Sequence, residues 1–77
     1  MLKRMEASEP NSCWNKALDD ERIFVLLSRD AASPSTIRFW IEERIRLGKN
    51  ERLDPQIIEA ENAAKLMELQ RNQRDSA

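Results

Sequence analysis

The chain has 77 residues, with 13 basic and 14 acidic side chains, a net charge of −1, one Cys, one Gly and no His. That length allows one domain with a thin core. The lone Cys excludes an internal disulfide, the missing His leaves a zinc site one good ligand at most, and the charge balance is poor for a general nucleic-acid binder, whose non-specific affinity comes from a basic excess.

With disulfides and metals set aside, oligomerisation is the reinforcement left for so small a core. A single Cys fits a reducing compartment, so the expected location is the cytosol. No apolar run nears the roughly 18 residues of a membrane span. The start, MLKRMEASEP, is basic but lacks the apolar stretch of a signal peptide. A charged fraction of 35% and a single Gly favour helix, and no segment alternates like a strand.

Residues 1–11 read as a flexible, polar arm closed by Pro10 and Asn11. Ser12 is placed to cap a short helix in which Trp14, Ala17 and Leu18 share a face. Cys13 in that helix reads as a buried small apolar residue beside Trp14. Asp19 and Asp20 then resemble a fresh helix start, with Glu21 favoured in the first turn by the dipole. The run Ile23-Phe24-Val25-Leu26-Leu27 follows. By composition it is a short buried strand or a helix buried on several sides. The acidic start and the absence of a partner strand decide for helix, with Phe24 and Leu27 as candidates for a subunit interface.

Ser33-Pro34 reads as a helix start, with Ser as N-cap and Pro at the first helical position. This helix runs to about Leu47 on a stripe of Ile37, Trp40, Ile41, Ile45 and Leu47. Gly48 is placed just past its end, where positive φ is wanted. Phe39 falls off the Ile37–Ile41–Ile45 stripe and needs a second surface to bury against. Asp54-Pro55 repeats the cap-then-Pro start. The last helix carries Ile57, Ile58, Ala60, Ala64, Met67 and, at its margins, Leu66 and Leu69. Ala60, Ala63 and Ala64 admit close approach of another helix. Glu61 and Lys65 form a favourable i, i+4 pair. The result is an all-α protein: a small helical bundle of three main helices plus a short N-terminal helix, with the helical domain over 12–70 and a frayed tail over 71–77.

Catalytic signals are weak. Without His or Tyr, the acid–base candidates are carboxylates, lysines and Cys13, which has no usual base partner. One Gly rules out a glycine-rich phosphate loop. The charges are unevenly spread, however. Residues 33–52 hold Arg38, Arg44, Arg46, Lys49 and Arg52 against Glu42, Glu43 and Glu51, a local +2. Trp40 and Arg44 are spaced i, i+4, which suits a guanidinium lying over an indole. The plain interpretation is core packing of Trp40 with Arg44 crossing its edge. The functional one is an anion site of Arg29, Arg38, Trp40, Arg44 and Lys49. A helix-turn-helix reading fits the segment lengths, but Glu42 and Glu43 interrupt the basic face and the corner lacks Gly.

The stretches DDERIFVLLSRD, SPSTIRFWIEERIRLGKN and DPQIIEAENAAKLME resemble a group of small proteins of tailed phages and prophages. That group carries Asp-Glu-x-x-Phe-Val-Leu-Leu-x-Arg-Asp, then Ala-Pro-x-x-Ile-Arg-x-Trp, Arg-x-x-Leu-Gly and an Ile-x-Glu-Ala helix. The likeness covers residues 19–69, with Ser33-Pro34 in place of Ala-Pro. It implies a setting, a phage accessory protein in the host cytosol, and no catalytic signature.

Together these readings give a non-enzymatic binding protein, homo-oligomeric and without a cofactor. Its expected role is to counteract a host system by sequestering an anionic, nucleotide-like molecule or by blocking a host protein. The expected interface comprises Phe24, Leu27, Phe39, Ala60 and Ala64. A DNA-binding regulator and a structural assembly subunit are the alternatives; membrane partners are not expected.

Overall fold

Helix formation begins earlier than the sequence suggests. The computed structural model describes residues 2–75, with side chains as far as residue 73. Four helices follow in order: α1 (Lys3–Ser8), α2 (Cys13–Lys16), α3 (Ser33–Arg46) and α4 (Pro55–Asp75). Met1 of the expected arm and Ser76 and Ala77 of the expected tail lie outside the described residues. No strand occurs among the described residues, so the protein is all-α.

The first two helices form a small unit tied by polar side chains. Ser12 caps α2 as its sequence position suggests, accepting from the Asn15 N–H at 3.2 Å. Its hydroxyl also donates to the Glu6 carbonyl. The Asn15 amide lies within 3.2 Å of the carbonyl oxygens of Glu6, Ala7 and Glu9, where α1 leaves acceptors unsatisfied. Glu6 reaches across to the Trp14 N–H at 3.0 Å. Polar ties of this kind hold α1 inside the segment read as an arm. Cys13 and Trp14 are exposed, not packed together in a core.

The largest departure from the sequence reading is the apolar run. Residues 22–27 are extended, not helical, and lie between two turns. The Glu21 N–H closes the first turn on the Leu18 carbonyl, and the Asp30 N–H closes the second on Leu27. Asp19 and Asp20 therefore sit in a turn and start no helix. Ile, Phe and Val are poor helix formers. Five apolar residues between turns are also too few to repay helix nucleation without a surface to bury against.

The hairpin of α3 and α4 holds the core. Ile41, Ile57 and Ala64 are its fully buried apolar side chains. Ala64 and half-buried Ala60, expected at a subunit contact, are instead turned into this seam within the chain. Pro34 and Pro55 open the two helices as their sequence signals indicate. The caps differ from expectation. The Ser33 hydroxyl donates to the Leu27 carbonyl at 2.7 Å and pins the extended segment to the base of α3. The Asp54 carboxylate turns back to the Glu51 N–H at 2.9 Å. Gly48 ends α3 at φ +73°. Lys49 N–H bonds Arg44 O and Gly48 N–H bonds Ile45 O, the paired closure that requires a left-handed residue here.

This seam is thin for the mass it supports. The chain exposes 6577 Å², whereas a compact folded monomer of 9.0 kDa exposes about 4,850 Å². Its radius of gyration is 13.5 Å, against about 11.5 Å for a compact chain of this length. Truncating Ile41 or Ile57 to Ala costs about 2–5 kcal/mol at a buried site, out of roughly 4–11 kcal/mol for a chain this long. Either variant is expected to lose most of its helical signal on mild heating, measured by circular dichroism. Leu53→Ala, at an 82% exposed loop position, is expected to leave the melt nearly unchanged.

Candidate functional site

The C-terminal half of α3 and the loop after it carry the residues with functional chemistry. Trp40 and Arg44 meet as their i, i+4 spacing indicates, with the Arg44 guanidinium carbon 5.6 Å from the indole centroid. Asn50 holds Arg44 from the other side, its Oδ1 accepting from Arg44 Nε at 2.6 Å. The Asn50 amide in turn donates to Asp54 Oδ2 at 3.0 Å and Gln56 Oε1 at 3.2 Å. One side chain thus ties the end of α3 to the start of α4 and fixes Arg44 over the ring. Asn50 lies in the polar loop between α3 and α4. Its tertiary role has no local signature, because its partners become neighbours only when the hairpin closes.

The five expected ligand residues do not converge. Arg38 lies six positions before Arg44, which places the two about 120° apart around the helix. Arg38 is turned toward α4 and paired with Glu68. Around Arg38 is a shallow depression lined by Ile41, Glu42, Glu61 and Lys65, where two carboxylates balance two cations. Such a cleft offers no net attraction to an anion. Arg29 sits in the turn after the extended segment, exposed, and Lys49 follows Gly48, exposed. Trp40, Arg44 and Lys49 are therefore the part of the expected set gathered at one end of α3.

Carboxylates also claim Arg46 and Arg52. Arg46 pairs with Glu43 on the same helix. Arg52 meets Glu42 through two hydrogen bonds, at 2.9 and 3.0 Å, and approaches Glu61 to 4.0 Å. Glu61, expected to pair with Lys65, faces Arg52 instead. The local +2 read from residues 33–52 is thus offset by Glu61 and Glu68, which arrive from α4. Among the described residues, Arg44 has no acidic partner, and no group of His, Cys, Asp and Glu could hold a metal ion. No described helix is long and apolar enough to cross a membrane.

Several large apolar side chains of this region are exposed. Phe39 is 70% exposed, so the second surface its position calls for is not supplied within the chain. Trp40 and Leu47 are exposed on the same helix and its end. Phe24 and Leu27, expected at an interface, are exposed in the extended segment. Comparison of the chain with family models, curated proteins and solved structures gives no match.

Three carboxylates have their proton affinity lowered by these contacts. Hydrogen bonding from Arg52 lowers the Glu42 pKa, and hydrogen bonding from Arg38 lowers that of Glu68. Asp54 is lowered by the Glu51 N–H and then by Asn50. A carboxylate with a depressed folded pKa contributes stability above its unfolded pKa and loses it as pH falls through the folded value. The urea midpoint is therefore expected to be flat from neutral pH to about pH 5 and to fall below about pH 4. These groups are exposed, so salt should shrink the effect. A midpoint that rises on acidification would contradict the assignment.

Proposed function

We propose that this chain is a non-enzymatic binding protein whose working surface is the outer face of α3, and that its target is a protein. The observation that carries the reading is the exposed Trp40 and Leu47 on the side of α3 where Arg44 is already fixed over the Trp40 ring. Aromatic side chains and Arg are the residues that most often supply the central energy of protein interfaces. A guanidinium held by Asn50 and the ring has less freedom to lose on binding. The resemblance to small phage and prophage proteins supplies the setting, in which the target is a host protein and the effect is to block it.

Polyanion binding is less well supported, because Arg38, Arg46 and Arg52 are engaged by carboxylates. One specific observation favours a second reading, an anionic planar ligand such as a nucleotide. Arg44 has no acidic partner among the described residues and lies beside Trp40 and the loop bearing Lys49. Stacking on the indole and a charge-assisted bond to the guanidinium would then hold one molecule.

Affinity capture from host lysate with the wild type, Trp40→Ala and Arg44→Ala separates these readings from each other. A protein retained by the wild type and lost at least about 10-fold with either variant, at unchanged helicity, is the expected result for a hot spot of this kind. Retention of the same proteins by all three forms would overturn the assignment of the surface. A small molecule released on denaturing the wild type, and absent from Arg44→Ala, would move the conclusion to the nucleotide reading.

A further inference from the structure

We infer that the target presents an Asp or Glu side chain to Arg44, whose Nη1 and Nη2 grip both carboxylate oxygens while Trp40 and Leu47 pack against apolar neighbours of that acid. This rests on the protein-binding reading above and names the chemistry its target brings. Arg38, Arg46 and Arg52 each meet a Glu of this chain. Arg44 is half-buried, and the two groups that hold it are both neutral. Asn50 Oδ1 accepts from its Nε at 2.6 Å, and the Trp40 ring centroid lies 5.6 Å from its guanidinium carbon. The Asn50 amide is itself held by Asp54 and Gln56, so the guanidinium is kept in place without an acid in contact with it. Among the described residues, Nη1 and Nη2 donate to nothing, and neither is sealed from solvent. With Nε occupied, the pairing geometry left is end-on: two parallel donors set for the two oxygens of one carboxylate.

The surroundings select a carboxylate side chain over a phosphate. Phosphate sites draw on several donors, main-chain N–H groups above all. The loop beside Arg44 has none to spare over residues 48–51. The Gly48 N–H bonds the Ile45 carbonyl, the Lys49 and Asn50 N–H groups bond the Arg44 carbonyl, and the Glu51 N–H bonds the Asp54 carboxylate. The same shortage disfavours a chain-terminal carboxylate, which backbone nests capture. The Asp54 carboxylate stands behind the Asn50 amide and opposes a doubly charged anion more than a singly charged one. Trp40, Arg44 and Leu47 fall at i, i+4 and i+7, so one stripe of α3 sets an apolar contact on either side of the guanidinium. Trp40 is 39% exposed and Leu47 55%, which leaves both available for contact. An acidic residue with apolar neighbours matches that stripe in charge and in hydropathy.

The test follows the side-chain NMR signals of Trp40 and Arg44 in the full chain while peptides and adenosine monophosphate are titrated in. Acetyl-Leu-Glu-Leu-amide is expected to shift both signals. Its neutral counterpart acetyl-Leu-Gln-Leu-amide, and acetyl-Leu-Gln-Leu with a free C-terminus, are each expected to bind at least about 10-fold more weakly. Adenosine monophosphate is expected to bind no more tightly than the Glu peptide. Arg44→Lys keeps the charge but loses the paired donors, and is expected to weaken the Glu peptide about 10-fold with helical circular dichroism unchanged. No shift with the Glu peptide, equal binding of the Glu and Gln peptides, or full affinity in Arg44→Lys would overturn the inference. Tighter binding of the free-terminus peptide or of adenosine monophosphate would overturn it in favour of a terminal carboxylate or a phosphate. The two conclusions fail separately. A captured protein lost with Trp40→Ala yet kept by Arg44→Lys would leave the binding surface standing and remove the acid. Equal capture from lysate by the wild type and Trp40→Ala would remove the surface while the peptide result stood.

Discussion

The contact between α3 and α4 through Ile41, Ile57 and Ala64 is the constraint on which the rest depends. Those three side chains are the most deeply buried of the apolar set, and Ala64 allows the helices to approach closely at that point. Asn50 closes the open end of the same hairpin by joining Arg44 to Asp54 and Gln56. Remove the seam and the Trp40–Arg44 pair has no fixed frame, because Arg44 is positioned by a loop that exists only while α4 is docked.

A core this small settles where the remaining apolar residues go. Phe39, Trp40, Leu47 and the residues of the extended segment cannot be accommodated by three buried positions, so they stay outside. Charge follows the opposite course. Arg38, Arg46 and Arg52 are each met by a Glu, two of them across elements, and the surface is close to balanced. Exposed apolar side chains thus lie beside arginines that carboxylates already hold. That arrangement belongs to the folded chain and is invisible in the net charge of −1.

Local signals in the sequence are legible where one residue type has one physical use. Gly48 takes the positive φ that ends α3, Ser12 caps α2, and the two prolines open α3 and α4. The Trp40–Arg44 stack follows from helical spacing alone, and so does the outward position of Phe39. The sequence is silent where the outcome depends on what is nearby in space. The run from Ile23 to Leu27 is compatible with either helix or strand, and the choice falls to its surroundings, which here provide turns at both ends and no groove. Arg38 and Glu68 are thirty residues apart, and nothing local announces their pairing. Asp54 and Ser33 carry capping side chains, yet each bonds backward into the preceding segment because a closer acceptor or donor waits there.

The extended conformation of the apolar run has one more consequence, for proteolysis. Endoproteases bind their substrates as extended strands, and exposed, non-helical chain is where nicking concentrates. Arg22 and Arg29 bracket this segment, both exposed, while the other arginines of the core region lie on helices or in the clipped loop. A trypsin-like enzyme would therefore cut on either side of the run, dividing α1 and α2 from the α3–α4 hairpin. Whatever covers the segment in the cell also decides how long the chain survives as one piece.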